Sequence, residues 1–135
     1  MDVIRSRPQT AIAPPEWFTG RAYIDGIATA DMPSRLRAYR VHFTPGARTA
    51  WHRHPHGQVL HITEGVGRAQ SRGGAVEQIG AGDTVRFEAG EEHWHGAGPA
   101  NFMTHLAFQV ADEDGNDASW GAHVTDEEYG GDVDA

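Results

Sequence analysis

Alternation rather than helical spacing dominates the hydrophobic pattern of this 135-residue chain. In RLRAYRVHFTPGA (35–47), Tyr39, Val41 and Phe43 fall on one face and Arg40 and His42 on the other. A period of two marks a strand with one buried face, and the Pro-Gly pair at 45–46 ends it in a turn. GRAYIDGI (20–27), QVLHITEG (58–65), TVRFEAG (84–90) and NFMTHLAFQV (101–110) read as further strands, the second of them stopping at a glycine turn. RAQSRGGAVEQIGAGD (68–83) is predicted to be a hairpin about Gly73 and Gly74, followed by a second turn. AIAPPEWF (11–18) cannot be helical across its proline pair and is expected to run as an extended arm. Short strands at even spacing with glycine-rich turns predict an all-β chain, an antiparallel barrel or sandwich. Thr125 and Glu128 have the spacing of a capping box, which predicts one short helix near the C-terminus. The expected organisation is one domain: an arm over 1–18, a barrel over 19–111, and an acidic segment over 112–135 that carries the helix.

Composition narrows the chemistry. There is no cysteine, which removes disulfides, thiolates and iron–sulfur clusters. All 11 basic residues are arginine, so no lysine is available for Schiff-base catalysis. The net charge of −8 disfavours nucleic acid and anionic membrane as partners. No apolar run approaches a membrane span, and MDVIRSRPQT lacks the apolar core of a signal peptide. The expectation is a soluble cytoplasmic protein. Nine acidic residues and no basic ones occupy 111–135, which reads as a solvated tail.

Seven of the nine histidines fall between 52 and 105. On a strand, residues two apart share a face. His52 and His54 can therefore face one interior, as can His93 and His95, and two such pairs can converge across a narrow barrel. Neutral imidazoles suit Mn, Fe, Ni, Cu or Zn without thiolate help. His56 falls in a turn, His61 is out of phase with Gln58 and should point away, and His42 and His123 have no partner in the pattern. Trp51 and Trp94 alternate with the candidate ligands and should pack on the opposite side, against a neighbouring layer or subunit.

The surrounding residues resemble the cupins. Gly46, five residues, His52-Arg53-His54, three residues, Gln58, six residues and Gly65 are similar to the first cupin motif. Gly82, five residues, Glu88-Ala89-Gly90, two residues and His93 are similar to the second. Gln58 stands where most cupins have glutamate, Glu88 replaces the usual proline, and Ala97 replaces an asparagine. The resemblance implies a single-domain cupin, an antiparallel β-barrel or jelly roll. It implies that His52, His54, Gln58 and His93 hold a divalent metal; a three-histidine site without Gln58 is the alternative. A neutral amide oxygen leaves such a site one unit more positive than glutamate would, a stronger Lewis acid.

PGARTAWH (45–52), HPHGQ (54–58), GGAVEQI (73–79), HWHGA (93–97), MTHLAFQ (103–109) and HVTDEEY (123–129) resemble a narrower group, the small bacterial manganese-dependent hydroxynitrile lyase cupins. That implies Mn(II), with Fe(II), Ni(II) or Zn(II) fitting the same donors, and a small cyanohydrin of the (R)-mandelonitrile type. His95 and His105 would act as acid and base, His95 taking the hydroxyl proton and His105 helping to protonate departing cyanide. Tyr39, Val41, Phe43, Phe87 and Gln109 are expected around an apolar pocket, with Phe43 and Phe87 equally readable as barrel core. The resemblance also implies a homo-dimer or homo-tetramer, in which EWFTGRAYI could be an exchanged segment. A metal-dependent dioxygenase or oxidase, and a non-catalytic metal-containing binding module, stay open at this level.

Overall fold

The computed structural model describes residues 1–130 and the backbone of 133 and 134. Its strands are β1 (Ala11–Ile12), β2 (Phe18–Thr19), β3 (Ala22–Ala28), β4 (Leu36–Phe43), β5 (Arg48–Thr49), β6 (His52–Arg53) and β7 (Gln58–Ser71). They continue with β8 (Val76–Gly80), β9 (Thr84–Phe87), β10 (His93–Ala97), β11 (Met103–Val110), β12 (Ser119–Trp120) and β13 (Val133–Asp134). One curled sheet runs in the order β1-β3-β4-β11-β7-β10-β5-β2, and its pairings are antiparallel apart from β13 on β8. No helix among the described residues is long and apolar enough to cross a membrane.

β7 makes the curl. Its first half pairs with β11 and β9 and its second half with β10 and β8, so one 14-residue strand serves both walls. The predicted glycine turn at Gly65 is therefore corrected to a bend inside a strand. Thr104 pairs with Glu64 but His105 with Ile62, which leaves Thr63 as a bulge. A bulge of one residue shifts the inward parity from Gln58, Leu60 and Ile62 to Gly67 and Ala69. Gly65 has φ +82, and a Cβ there would lie 2.0 Å from the Phe102 carbonyl oxygen, so the bend admits only glycine.

The arm is also corrected. Trp17 and Phe18 both donate backbone N–H groups to the Pro14 carbonyl, so the proline pair starts a turn. That turn folds β2 onto β5 of the same chain and leaves Trp17 stacked on Trp120. The short helix α1 (Asp126–Tyr129) forms as expected, with Thr125 and Glu128 in a reciprocal capping box.

The acidic segment is not a solvated tail. β12 pairs with β6, Gly121 and Trp51 exchange backbone hydrogen bonds with the chain opposite them, and Val124 and Tyr129 are buried. Residues 131, 132 and 135 of that segment lie outside the described residues. Two apolar clusters result. One fills the barrel around Phe43, Leu60, Ile62 and Met103; the other, on the far side of β10, joins Trp51, Val76, Trp94, Val124 and Tyr129.

Candidate metal centre and active site

His52 of β6 and His93 of β10 are direct cross-strand partners. Gln58 opens β7 between Gln109 of β11 and Phe87 of β9. The chain turns back between His54 and Gln58, where Gly57 donates its N–H to the His54 carbonyl at 3.3 Å. Gly57 has φ +82, and a Cβ there would lie 2.5 Å from the Phe87 carbonyl oxygen, so a side chain would push this loop off the barrel.

Each of three rings is oriented through Nδ1. His52 Nδ1 donates to the Ala50 carbonyl at 2.9 Å, His54 Nδ1 to the Asp117 carbonyl at 2.6 Å, and His93 Nδ1 to the Glu91 carbonyl at 2.9 Å. A proton held at Nδ1 leaves Nε2 with its lone pair, the outer-shell arrangement seen behind metal-bound histidines. His54 Nε2 is buried without a hydrogen-bond partner. His93 Nε2 lies 3.0 Å from Gln58 Oε1. Burial holds the His93 imidazole down to about 4, so that nitrogen carries no proton at neutral pH and two acceptors face each other. A cation between them removes the conflict. His52, His54, Gln58 and His93 therefore fit a divalent metal of the kind that imidazole and carbonyl oxygen accept together.

His95 and His105 form a separate pair. His95 Nδ1 and His105 Nε2 share a hydrogen bond at 3.1 Å, and the other nitrogen of each ring is buried and unpartnered. Burial lowers both: His95 well below the ordinary histidine value, His105 to about 4. Phe43 packs against both rings. The nitrogens of His52, His93 and His95 also lie within 4.8 Å of one another, a grouping that omits His54 and includes His95. His95 is thus nearer the cluster than alternation alone implied.

His52, His54, Gln58, His95 and His105 line a cavity of about 600 Å³, and His93 is buried behind Gln58. Tyr39, Val41, Phe43 and Gln109 line the cavity; Phe87 does not, being stacked behind His93 with ring centroids 3.6 Å apart. Phe87 thus backs the His93 ring rather than walling the pocket. Sequence reasoning missed Trp17, Phe18, Asn116, Asp117 and Trp120, which also line it. Trp120 stacks on His52 at 4.5 Å, and Asp117 accepts from Gln109 Nε2 at 2.9 Å. The aromatic content of SWGAH was the one available signal, and it was obscured by the acidic residues around it. His56 is exposed, His61 faces outward with Nδ1 against Thr84, and His42 contacts Thr104.

The sequence model for the cupin domain matches residues 39–105. The (R)-mandelonitrile lyase of Granulicella tundricola is 53% identical over 116 residues, 86% of this chain and 88% of that protein. This chain belongs to the cupin family. Among solved structures, a cupin-like protein from Thermotoga maritima is 35% identical, with a TM-score of 0.82 over 95% of each chain. A structure described as a predicted oxalate decarboxylase from the same organism has a TM-score of 0.69 at 21% identity, covering 82% of this cupin and 98% of its own chain. That second likeness is one of fold alone. The Gln58 amide, the His95–His105 pair and the aromatic lining are features of this cupin's own cavity.

Proposed function

We propose that this cupin is a metal-dependent hydroxynitrile lyase that cleaves cyanohydrins of the (R)-mandelonitrile type into aldehyde and cyanide, and catalyses the reverse addition. The observation that carries the reading is the neutral His95–His105 pair, hydrogen-bonded to itself and exposed to an aromatic cavity beside the His52, His54, Gln58 and His93 donors. The relative named (R)-mandelonitrile lyase supports the same chemistry. Mn(II) is the cation proposed, and when bound it supplies Lewis acidity that favours the deprotonated form of a substrate hydroxyl.

The chain's own residues then move the protons. With His95 Nδ1–H donating to His105 Nε2, His95 Nε2 is a free base and His105 Nδ1–H a free donor. His95 Nε2 takes the hydroxyl proton as the carbon–carbon bond to cyanide breaks and the carbonyl forms. The Nδ1 proton of His95 passes to His105 Nε2, and the Nδ1 proton of His105 passes to cyanide. Hydrogen cyanide and aldehyde leave, both rings are neutral with their protons now on Nε2, and proton exchange with water entering the emptied cavity returns them to Nδ1 for the next turnover. Neutral rings are needed at the start, and burial in the cavity wall enforces them. Trp17, Phe18, Trp120 and Tyr39 provide apolar surface for an aryl group and exclude water from the departing cyanide.

A homo-oligomer fits the outer sheet face, where the partners Leu36 and Val110 are both exposed. The functional test is benzaldehyde release from mandelonitrile by manganese-loaded protein, in air and without oxygen. Equal rates in both support the lyase. No release with the metal fully loaded contradicts it, and turnover that requires oxygen points to a cupin oxidase instead.

A further inference from the structure

We infer that Asp117 is a positioning residue that decides which atom of Gln58 faces the metal, and so excludes a carboxylate at position 58. The inference rests on the ligand set proposed above. A carboxylate only accepts hydrogen bonds. Gln109 must therefore give Asp117 its amide nitrogen, and Nε2 lies 2.9 Å from Asp117 Oδ2. The other end of that amide, Oε1, is turned toward Gln58 and accepts from its Nε2 at 3.0 Å. Gln58 has then committed its own nitrogen, which leaves Oε1 directed at His93 Nε2. An amide has one donor end and one acceptor end, so the polarity imposed at Asp117 passes through two side chains to the metal side of Gln58. Gln58 and Gln109 are direct cross-strand partners and both are buried, so a reversed orientation that sets like ends of the amides together is costly.

The same geometry accounts for the glutamine that departs from the usual cupin motif. A glutamate at 58 would set a carboxylate oxygen against Gln109 Oε1. Gln109 could answer only by turning over, which would set its oxygen against Asp117. The negative charge on Asp117 thus makes an amide the one side chain of this length that satisfies the whole chain of contacts. Asp117 reaches a second ligand as well, because its backbone carbonyl holds His54 Nδ1. The segment that carries it is pinned beside the ligands through β12 on β6.

The test is a cycle of full-length, metal-stripped proteins: wild type, Asp117→Asn, Gln58→Glu and the double variant. Mn(II) dissociation constants are measured for each by competition with a chelator. Asp117→Asn is isosteric and can present either an oxygen or a nitrogen, so it preserves the fold while releasing the polarity. With Asp117 present, Gln58→Glu should weaken Mn(II) binding despite the added charge. With Asp117→Asn, the same substitution should strengthen it, the two effects differing by roughly tenfold or more, the scale of outer-shell perturbations. Unfolding of the metal-free proteins gives a second readout, in which Gln58→Glu should lower the thermal midpoint more in the wild-type background. If Gln58→Glu changes the dissociation constant by the same factor in both backgrounds, Asp117 does not set the amide. His52→Ala and His54→Ala separate this from a wrong ligand set: if either keeps wild-type Mn(II) affinity, the set itself fails whatever the cycle shows.

Discussion

Alternate side chains of β10 enter two different interiors. His95 lines the cavity and His93 is buried beside it against Gln58 and Phe87, while Trp94 enters the cluster of Trp51, Val76, Val124 and Tyr129. On the Trp94 side the polar atoms of the large side chains are partnered: Trp94 Nε1 donates to Gln70, Trp51 Nε1 to Glu128, and the Tyr129 hydroxyl to the Ala97 carbonyl. The unpartnered Arg48 Nε is the exception there, and its guanidinium lies over the Tyr129 ring. On the cavity side three imidazole nitrogens, from His54, His95 and His105, are buried with no partner among the described residues. Native interiors rarely leave such atoms orphaned unless a ligand or a reaction uses them. β10 therefore separates a cluster whose large polar groups are mostly partnered from a cavity wall that carries orphaned imidazole nitrogens.

The largest effect should come from the cavity face. His105→Ala is expected to lower mandelonitrile turnover by about 10²- to 10⁴-fold, the range of a positioned acid or base. Its thermal midpoint should fall less than that of Trp94→Ala, because loss of the bond to His95 and of packing on Phe43 is offset in part by removal of an unpartnered buried nitrogen. A variant that unfolds instead would make His105 structural. Trp94→Ala should do the reverse, costing roughly 3–5 kcal/mol in denaturant unfolding through cavity formation. Its turnover per folded molecule should change far less than that of His105→Ala.

Acid should attack the same face. His93 and His105 are held to about 4 by burial, against about 6.5 in an unfolded chain, so the unfolded state binds more protons between those values. Stability of the metal-free protein should be full above pH ~6.5 and fall as pH drops toward ~4, by on the order of 3 kcal/mol for one such group. Thermal scans across that window should be shallower for His105→Ala, which lacks one of the groups. A parallel decline in both proteins would show that the cavity imidazoles are not the source. The smallest effect belongs to the other face: Tyr129→Phe should cost about 1 kcal/mol for the lost bond to Ala97 and leave turnover unchanged.

How far this division could be read beforehand varied along the chain. The two histidine pairs declared themselves because alternation and chelation use the same period, and Trp51 and Trp94 took the opposite side by the same rule. The capping box at Thr125 was local and formed as expected. The bend in β7 was hidden, because a bulge at Thr63 reverses the inward parity midway and no local residue pattern announces it. Residues 115–120 were misjudged for a different reason. Their place over the cavity depends on a two-residue pairing of β12 with β6, a long-range contact with no periodicity of its own. Asp117 was consequently invisible as a partner of Gln109, although both residues were in plain view.

In the proposed lyase the buried histidines divide into those that hold the metal and those that move protons. Manganese content and mandelonitrile turnover, measured together on His54→Ala and His95→Ala, test this division most directly. His54→Ala should lose both manganese and turnover, whereas His95→Ala should keep manganese and lose turnover. Should His95→Ala lose the metal while His54→Ala retains it, the ligands would be the tight group of His52, His93 and His95, and the proposed division would be wrong.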